Sequence, residues 1–222
     1  MPGTVRPFEY RPPTDPFLSI IHSDEHILVL DKPSGLLTVA GKQPDLADCL
    51  EARAQQQFPG ARIVHRLDKD TSGVIILGLT ASAHAHLGLQ FEKRKTRKTY
   101  IARVWGEIPE EAGRINKPIM TDWPNRPKQH IDYERGREAI TDWRVLAREP
   151  GITRIELKPV TGRSHQLRVH MLDLGYPILG DNLYAPAEAL AAAPCLQLHA
   201  HTLFVTHPET GVACQFESPC SF

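Results

Sequence analysis

The stretch HRLDKDTSG, His65 to Gly73, places a carboxylate, Asp68, where a β-rich run gives way to a tight polar turn. Arg66 stands two residues before it, and Lys69 and Asp70 follow directly. A carboxylate among fixed cations can act as a nucleophile or as a base. The same residues also make a good turn with Asx-type hydrogen bonds, and taken alone they favour that plainer role. Arg168 lies in GRSHQLRVH. Its guanidinium can keep a carboxylate ionised through two hydrogen bonds, or bind phosphate from a helix surface. Tyr100 lies in TYIARVW, where a ring is either core packing or a platform for stacking.

Cations gather near these residues. KRKTRK (93–98) supplies Lys93, Arg94, Lys95, Arg97 and Lys98 without an acid between them. They read either as a solvated helix end that complements the helix dipole, or as a track for phosphates, which their place just before Tyr100 favours. The Pro-rich connection 120–130 adds Trp123, Arg126 and Lys128, a combination suited to stacking on unpaired bases. Eleven histidines raise the question of a metal. The pairs His84/His86, His165/His170 and His199/His201 lack the H-E-x-x-H form, and no cysteine pair supports them, so no metal is expected.

The elements that must position these groups follow from periodicity and turn signals. Strands are expected at 17–22, 26–31, 62–66, 73–79, 99–105, 139–147, 152–160, 196–207 and 212–217. Asp45, Thr80 and Ser164 are placed to cap three helices. In the third helix Leu167, Met171 and Leu174 recur at i, i+4 and i+7. So many consecutive strands rule out regular βαβ alternation and give an α+β fold with a mostly antiparallel sheet. The five prolines of residues 1–16 suggest an extended arm, leaving 17–222 as one domain.

Net charge is zero across 222 residues, which by itself speaks against an anionic partner. Counted by segment it does not. Residues 62–168 hold 21 basic and 13 acidic side chains, whereas 169–222 hold 5 acidic and no basic ones. A basic middle points to a polyanion, provided that folding does not intermix the segments. No apolar run is long enough to span a bilayer, no signal peptide opens the chain, and the four cysteines are scattered. A soluble cytoplasmic protein with reduced thiols is expected.

HRLDKDTSG resembles the signature of the RluA family of pseudouridine synthases. KTRKTYIARVWG (95–106), LKPVTGRSHQLRVHMLDLGYPILGDNLY (157–184) and LQLHAHTLFVTHP (196–208) resemble three further family motifs in the right order. The resemblance runs from about Phe17 to Phe222, with Ser164 where many members have Thr. It implies the pseudouridine synthase fold with a central RNA-binding cleft. It also implies that uridine in RNA is turned into pseudouridine with no cofactor and no metal. Asp68 matches the catalytic residue, Arg168 its cationic partner and Tyr100 the active-site tyrosine, while Leu198 matches an apolar pocket wall. The carboxylate serves as nucleophile at the sugar or as the base of an elimination; both routes stay open. The target base must leave its stack. Arg66 is placed to fill the gap, with His65 as a helper or a structural hydrogen-bonder, and Arg163 and His165 join the RNA-binding set.

Within the family, the 122–129 segment and GDNLYAPAEALAA resemble the smaller dual-specificity members, and no separate N-terminal RNA-binding domain is expected. That implies 23S rRNA and the tRNA anticodon loop as substrates, and a monomer is the expected state. A non-catalytic RNA-binding module on the same fold is the alternative. Binding alone, however, needs none of the trio Asp68, Tyr100 and Arg168.

Overall fold

A computed structural model describes residues 10–222. In chain order it contains strands β1 (Ile20–Ser23) and β2 (Ile27–Lys32), helix α1 (Leu50–Gln57), strands β3 (Arg62–Ile63) and β4 (Ser72–Gly78), and helix α2 (Ala81–Glu92). Strands β5 (Arg97–Trp105), β6 (Ala112–Asn116), β7 (Ile119–Thr121), β8 (Gln129–Ile131), β9 (Ile140–Glu149) and β10 (Ile152–Pro159) follow. Helices α3 (Gln166–Asp173) and α4 (Ala187–Ala191) and strands β11 (Leu198–Thr206) and β12 (Ala213–Glu217) complete it. The fold is α+β, as the strand spacing predicts.

Ten strands form one sheet whose main path runs β1-β2-β4-β11-β5-β10-β9-β6, with β3 on β4 and β12 on β11; β7 and β8 form a separate hairpin. Every pairing is antiparallel except a short parallel contact between β4 and β11. There His199 faces Ser72 and Ala200 faces Gly73. Ala200 also pairs with Tyr100 on its other side, so β11 joins the strand beginning just after Asp68 to the strand carrying the tyrosine.

The continuous apolar runs of β2 and β4 follow from burial on both faces. Leu28, Leu30, Ile75 and Leu77 pack with Leu50 and Ala54 of α1. Ile27, Val29, Val74 and Ile76 pack on the opposite face with Leu87 of α2. A third core joins Ala102, Val104, Ile155 and Leu157 to Leu167 and Met171 of α3, so the expected helical spacing does place that helix on the sheet. Tyr100 packs against both this core and that of α1, at the seam between the two halves.

Several local expectations change. Cys49, not Asp45, caps α1, its thiol accepting from the Ala52 N–H at 3.4 Å; the residues around Asp45 make a short 3-10 turn. Thr80 does cap α2, accepting from the Ala83 N–H. Ser164 does not cap α3: His165 occupies that position with no side-chain cap bond. Of the 62–66 run only Arg62 and Ile63 pair, with Gly78 and Leu77, because the chain then leaves the sheet to carry Asp68. Residues 1–9 of the expected arm lie outside the described residues. The Tyr10 hydroxyl donates to the Asp48 carbonyl at 2.7 Å and accepts from the Leu37 N–H at 3.0 Å, tying residue 10 to the body. All four cysteines are free, and among the described residues no helix is long and apolar enough to cross a membrane.

Candidate active site

Asp68 stands in a loop fixed from below. Leu67 is buried, and its carbonyl accepts from Thr38 Oγ1 at 2.7 Å. The KPSG turn (32–35) holds the following residues: Ser34 Oγ donates to the Asp70 carbonyl, and Gly35 N to that of Lys69. Lys32 is wholly buried, and its ammonium gives hydrogen bonds to the carbonyls of Pro33, Leu36 and Lys69 at 2.7–2.9 Å. Burial lowers the Lys32 ammonium to about 7, with Asp70 and Asp68 opposing the shift. Sequence reading missed this lysine, although a charged residue ending the apolar run ILVLDK was a signal. Gly73 ends the loop at φ +108, where a β-carbon would lie 2.2 Å from the Ala200 carbonyl oxygen. Only glycine fits there.

Arg168 projects from the first turn of α3, almost fully buried at 3 % exposure. Its Nη1 donates to Asp68 Oδ2 at 3.3 Å. The expected two-bond grip exists, but on another residue: Nε and Nη2 donate to the two oxygens of Asp181 at 2.8 and 2.6 Å. A buried guanidinium needs a full counter-charge, and the partly exposed Asp68 cannot supply it. Asp181 is therefore the main counter-ion of Arg168, and sequence reading overlooked it, though it lies in the quoted GDNLY. One of its oxygens also accepts the backbone N–H groups of Leu183 and Tyr184, which fixes its rotamer. Asn182 reaches back to Asp70 at 3.2 Å.

A second ring faces the carboxylate. His165 Nε2 lies 3.8 Å from Asp68 Oδ2, and its Nδ1 lies 2.7 Å from the Tyr184 hydroxyl. Burial holds His165 below the ordinary histidine range; the Asp68 charge opposes this and Arg168 reinforces it. Both protein contacts of the carboxylate thus fall on Oδ2, and among the described residues none donates to Oδ1. Tyr100 and Leu198 line the space in front of Asp68. Burial, together with the Asp68 charge, raises the Tyr100 phenol, so that it remains protonated at neutral pH.

These groups open into a cleft of about 1240 Å³. That exceeds the roughly 300–1,000 Å³ of a typical small-molecule site and leaves room for more than one nucleotide. Eight basic and two acidic side chains line it, so folding concentrates the positive charge of the chain's middle instead of erasing it. Arg66, Arg94, Lys98, Arg126 and Arg163 are among them, with Arg137, which sequence reading did not single out. Arg66 is exposed, and among the described residues it has no hydrogen-bond or ionic partner.

The basic run divides by strand alternation. Lys98 points into the cleft, while Arg97 turns to the other face and lies over the Phe204 ring at 4.0 Å. Lys93 and Lys95 are exposed outside the cleft lining. Arg94 reaches Glu138 at 2.9 Å, and Arg163 donates to the carbonyl of the same residue. In the hairpin, Arg126 stacks on the exposed Trp123 at 4.3 Å; Arg126 lines the cleft, while Trp123 and Lys128 lie outside it. His65 also lines the cleft but is structural. Its Nε2 accepts from the Ile76 N–H, its ring stacks on Phe91, and burial lowers it to about 3, so it brings no charge.

The paired histidines hold other partners: His199 and His201 the Ser218 carbonyl, His84 the Ile63 carbonyl, His86 the Gln90 side-chain amide, and His170 Thr141 and the Lys117 carbonyl. Among the described residues no group of three His, Cys, Asp or Glu is placed to hold a metal.

Residues 26–173 match the family model described as RNA pseudouridylate synthase. The chain is 52 % identical over 204 residues to the dual-specificity RNA pseudouridine synthase RluA of Yersinia pestis, covering 91 % of this chain and 99 % of the relative. It is 50 % identical over 214 residues to the enzyme of the same name from Escherichia coli strain K12, covering 96 % and 98 %. Among solved structures, human RNA pseudouridylate synthase domain containing 1 superposes with a TM-score of 0.75 at 30 % identity, over 91 % of this chain and 83 % of that one. Human RNA pseudouridylate synthase domain containing 4 gives 0.73 at 26 % identity, over 91 % and 88 %.

Proposed function

The chain belongs to the RNA pseudouridylate synthase family, and we propose that it isomerises uridine to pseudouridine in 23S rRNA and in the tRNA anticodon loop, with Asp68 as its catalytic residue. One observation carries the assignment of the site. Asp68 presents an unengaged Oδ1 at the base of a basic cleft while Arg168 and His165 occupy the neighbourhood of Oδ2. The substrates rest on the two relatives, whose names give them dual specificity.

The reaction breaks the C1′–N1 bond, turns the uracil, joins C5 to C1′, and exchanges the C5 proton for one on N1. Oδ1 serves either route, adding to C1′ or taking a proton from C2′. Arg168 stabilises the carboxylate charge before and after that step. The Tyr100 ring stacks on the detached uracil against Leu198. Its hydroxyl, held protonated by burial and the Asp68 charge, is placed to assist the removal of the C5 proton. A uridine in an anticodon loop must be extruded to reach this depth. Arg66, free and planar at the cleft mouth, fills the vacated stack. Arg94, Lys98, Arg126, Arg137 and Arg163 carry the phosphates. We take the working enzyme to be a cytoplasmic monomer, and an isomerisation without redox change or group transfer calls for no metal or cofactor.

The test is tritium release from C5-labelled uridine in tRNA and 23S rRNA transcripts, in EDTA, for the wild type and Asp68→Ala. Release by the wild type alone is expected. No release on either RNA overturns the enzyme reading, and release by Asp68→Ala overturns the residue assignment.

A further inference from the structure

A chain of contacts leads from the β7–β8 hairpin to the catalytic carboxylate. Gln129, the first residue of β8, donates its N–H to the Tyr184 hydroxyl at 2.8 Å. That hydroxyl lies 2.7 Å from His165 Nδ1, and His165 Nε2 lies 3.8 Å from Asp68 Oδ2. The Tyr184 oxygen accepts the amide, and its own proton is then available to Nδ1. With Tyr184 as donor to Nδ1, the neutral imidazole carries its hydrogen on Nε2, facing Asp68.

The backbone at His165 shows that this aim has a cost. Its φ of 54° is left-handed, a region that residues with a β-carbon rarely adopt. Ser164, a better capping residue, stands next to it unused, and α3 starts with no side-chain cap. A strained residue at the head of a helix, with both ring nitrogens directed at polar partners, fits positioning better than local stability. Arg168 touches Oδ2 through one long hydrogen bond, which leaves the carboxylate free to rotate about that contact. His165 Nε2 stands 3.8 Å from the same oxygen, just beyond hydrogen-bond reach, so a small closing movement would bring a second donor onto Oδ2 and leave Oδ1 as the free oxygen. Asp68, Arg168, Asp181 and Tyr184 are the charged and titratable groups around the imidazole.

We propose that His165 is a positioning residue for Asp68, and that Tyr184 links it to the β7–β8 hairpin, so that RNA held by the hairpin sets the carboxylate for reaction. This rests on the isomerase reading above. The hairpin then acts on rate as well as on affinity.

The experiment compares single-turnover rate and affinity on a C5-tritiated anticodon stem-loop. Tyr184→Phe keeps the ring beneath Arg168 and loses only the hydroxyl. It is expected to slow the single-turnover rate about tenfold while affinity stays within about twofold. His165→Ala is expected to lose about a hundredfold in rate. His165→Gln, whose amide N–H can reach toward Asp68, is expected to recover most of that. Trp123→Ala is expected to slow the wild type at saturating RNA and to add nothing in the Tyr184→Phe background. A Tyr184→Phe rate equal to wild type, a loss confined to affinity, or Gln and Ala variants that match would each overturn the proposal. Absence of turnover by the wild type instead overturns the isomerase reading, and the positioning role with it.

Discussion

Arg168 gives two hydrogen bonds to Asp181, at 2.8 and 2.6 Å, and one, at 3.3 Å, to Asp68. Asp68 is thus the guanidinium's secondary partner. Asp181, 1 % exposed, neutralises the buried charge and sets its plane, and Asp68 meets the remaining edge. An arrangement of this kind keeps Arg168 in place whether or not Asp68 is engaged with substrate.

Asp181→Ala is therefore expected to be worse for the protein than Asp68→Ala. It leaves a buried guanidinium half paired, at a cost of about 3–5 kcal/mol. For a chain of this length that lowers the melting temperature by roughly 6–20 °C. Asp68→Ala, by contrast, abolishes turnover with little change in melting. Equal melting curves for the two variants would refute the division of roles.

Arg66→Ala separates binding from chemistry. The exposed, unpartnered guanidinium contributes little to folding, so melting is expected to be unchanged. The cleft keeps its other cations, so affinity falls by about threefold or less, while single-turnover rate falls at least about tenfold for want of a side chain to hold the gap. Stopped-flow measurement with a fluorescent base beside the target uridine would show extrusion slowed. Normal extrusion and rate would remove Arg66 from that role.

His65 makes stability depend on pH. Burial, with the Lys98 charge adding to it, holds the ring at about 3 in the folded protein, against about 6.5 in the unfolded chain. Between those values the unfolded state binds a proton that the folded state refuses. Stability is therefore full above about pH 6.5 and is lost as pH falls toward 3. His65→Phe keeps the stacking on Phe91 and removes the titration. Urea unfolding at pH 7 and 4.5 should show a pH difference smaller by about 1–2 kcal/mol in the variant, a reduced figure because part of the ring meets solvent. An identical difference in the two proteins would exclude His65 as the source.

Gly73→Ala tests the junction between the halves. The added β-carbon meets the Ala200 carbonyl oxygen at 2.2 Å, in a backbone conformation of positive φ. A loss of more than about 2 kcal/mol is expected, with tritium release reduced further than global stability explains. Hydrogen exchange should show the loss at β4 and β11 first; uniform loosening would point elsewhere.

Much of the fold and part of the site could be read from the residues. Apolar runs placed β2, β4 and β11 within a residue or two, and the alternation in TYIARVW placed Tyr100 and Ala102 on one face. What failed was local competition. Nothing in the spacing of Asp45 or Ser164 showed that Cys49 and His165 would take the capping positions, because capping depends on where the chain enters the helix. Asp68, Tyr100 and Arg168 stood out through the motifs around them. Asp181 and Lys32 did not, because their importance comes from burial and partners distant in sequence, which no local pattern records. The basic run was legible as charge, but its division between Lys98 and Arg97 needed the strand's orientation.

The position of β11 has a consequence for how the protein is made. The strand lies between β4 and β5, yet its residues are synthesised after those of every other strand on the main path of the sheet. Until Ala200 is available to pair with Gly73 and Tyr100, the part holding Asp68 and the part holding Tyr100 and Arg168 have no strand to join them. A nascent chain on the ribosome, surrounded by RNA, therefore carries every catalytic side chain well before it carries an active site. Assembly of the site waits on the closing of the sheet.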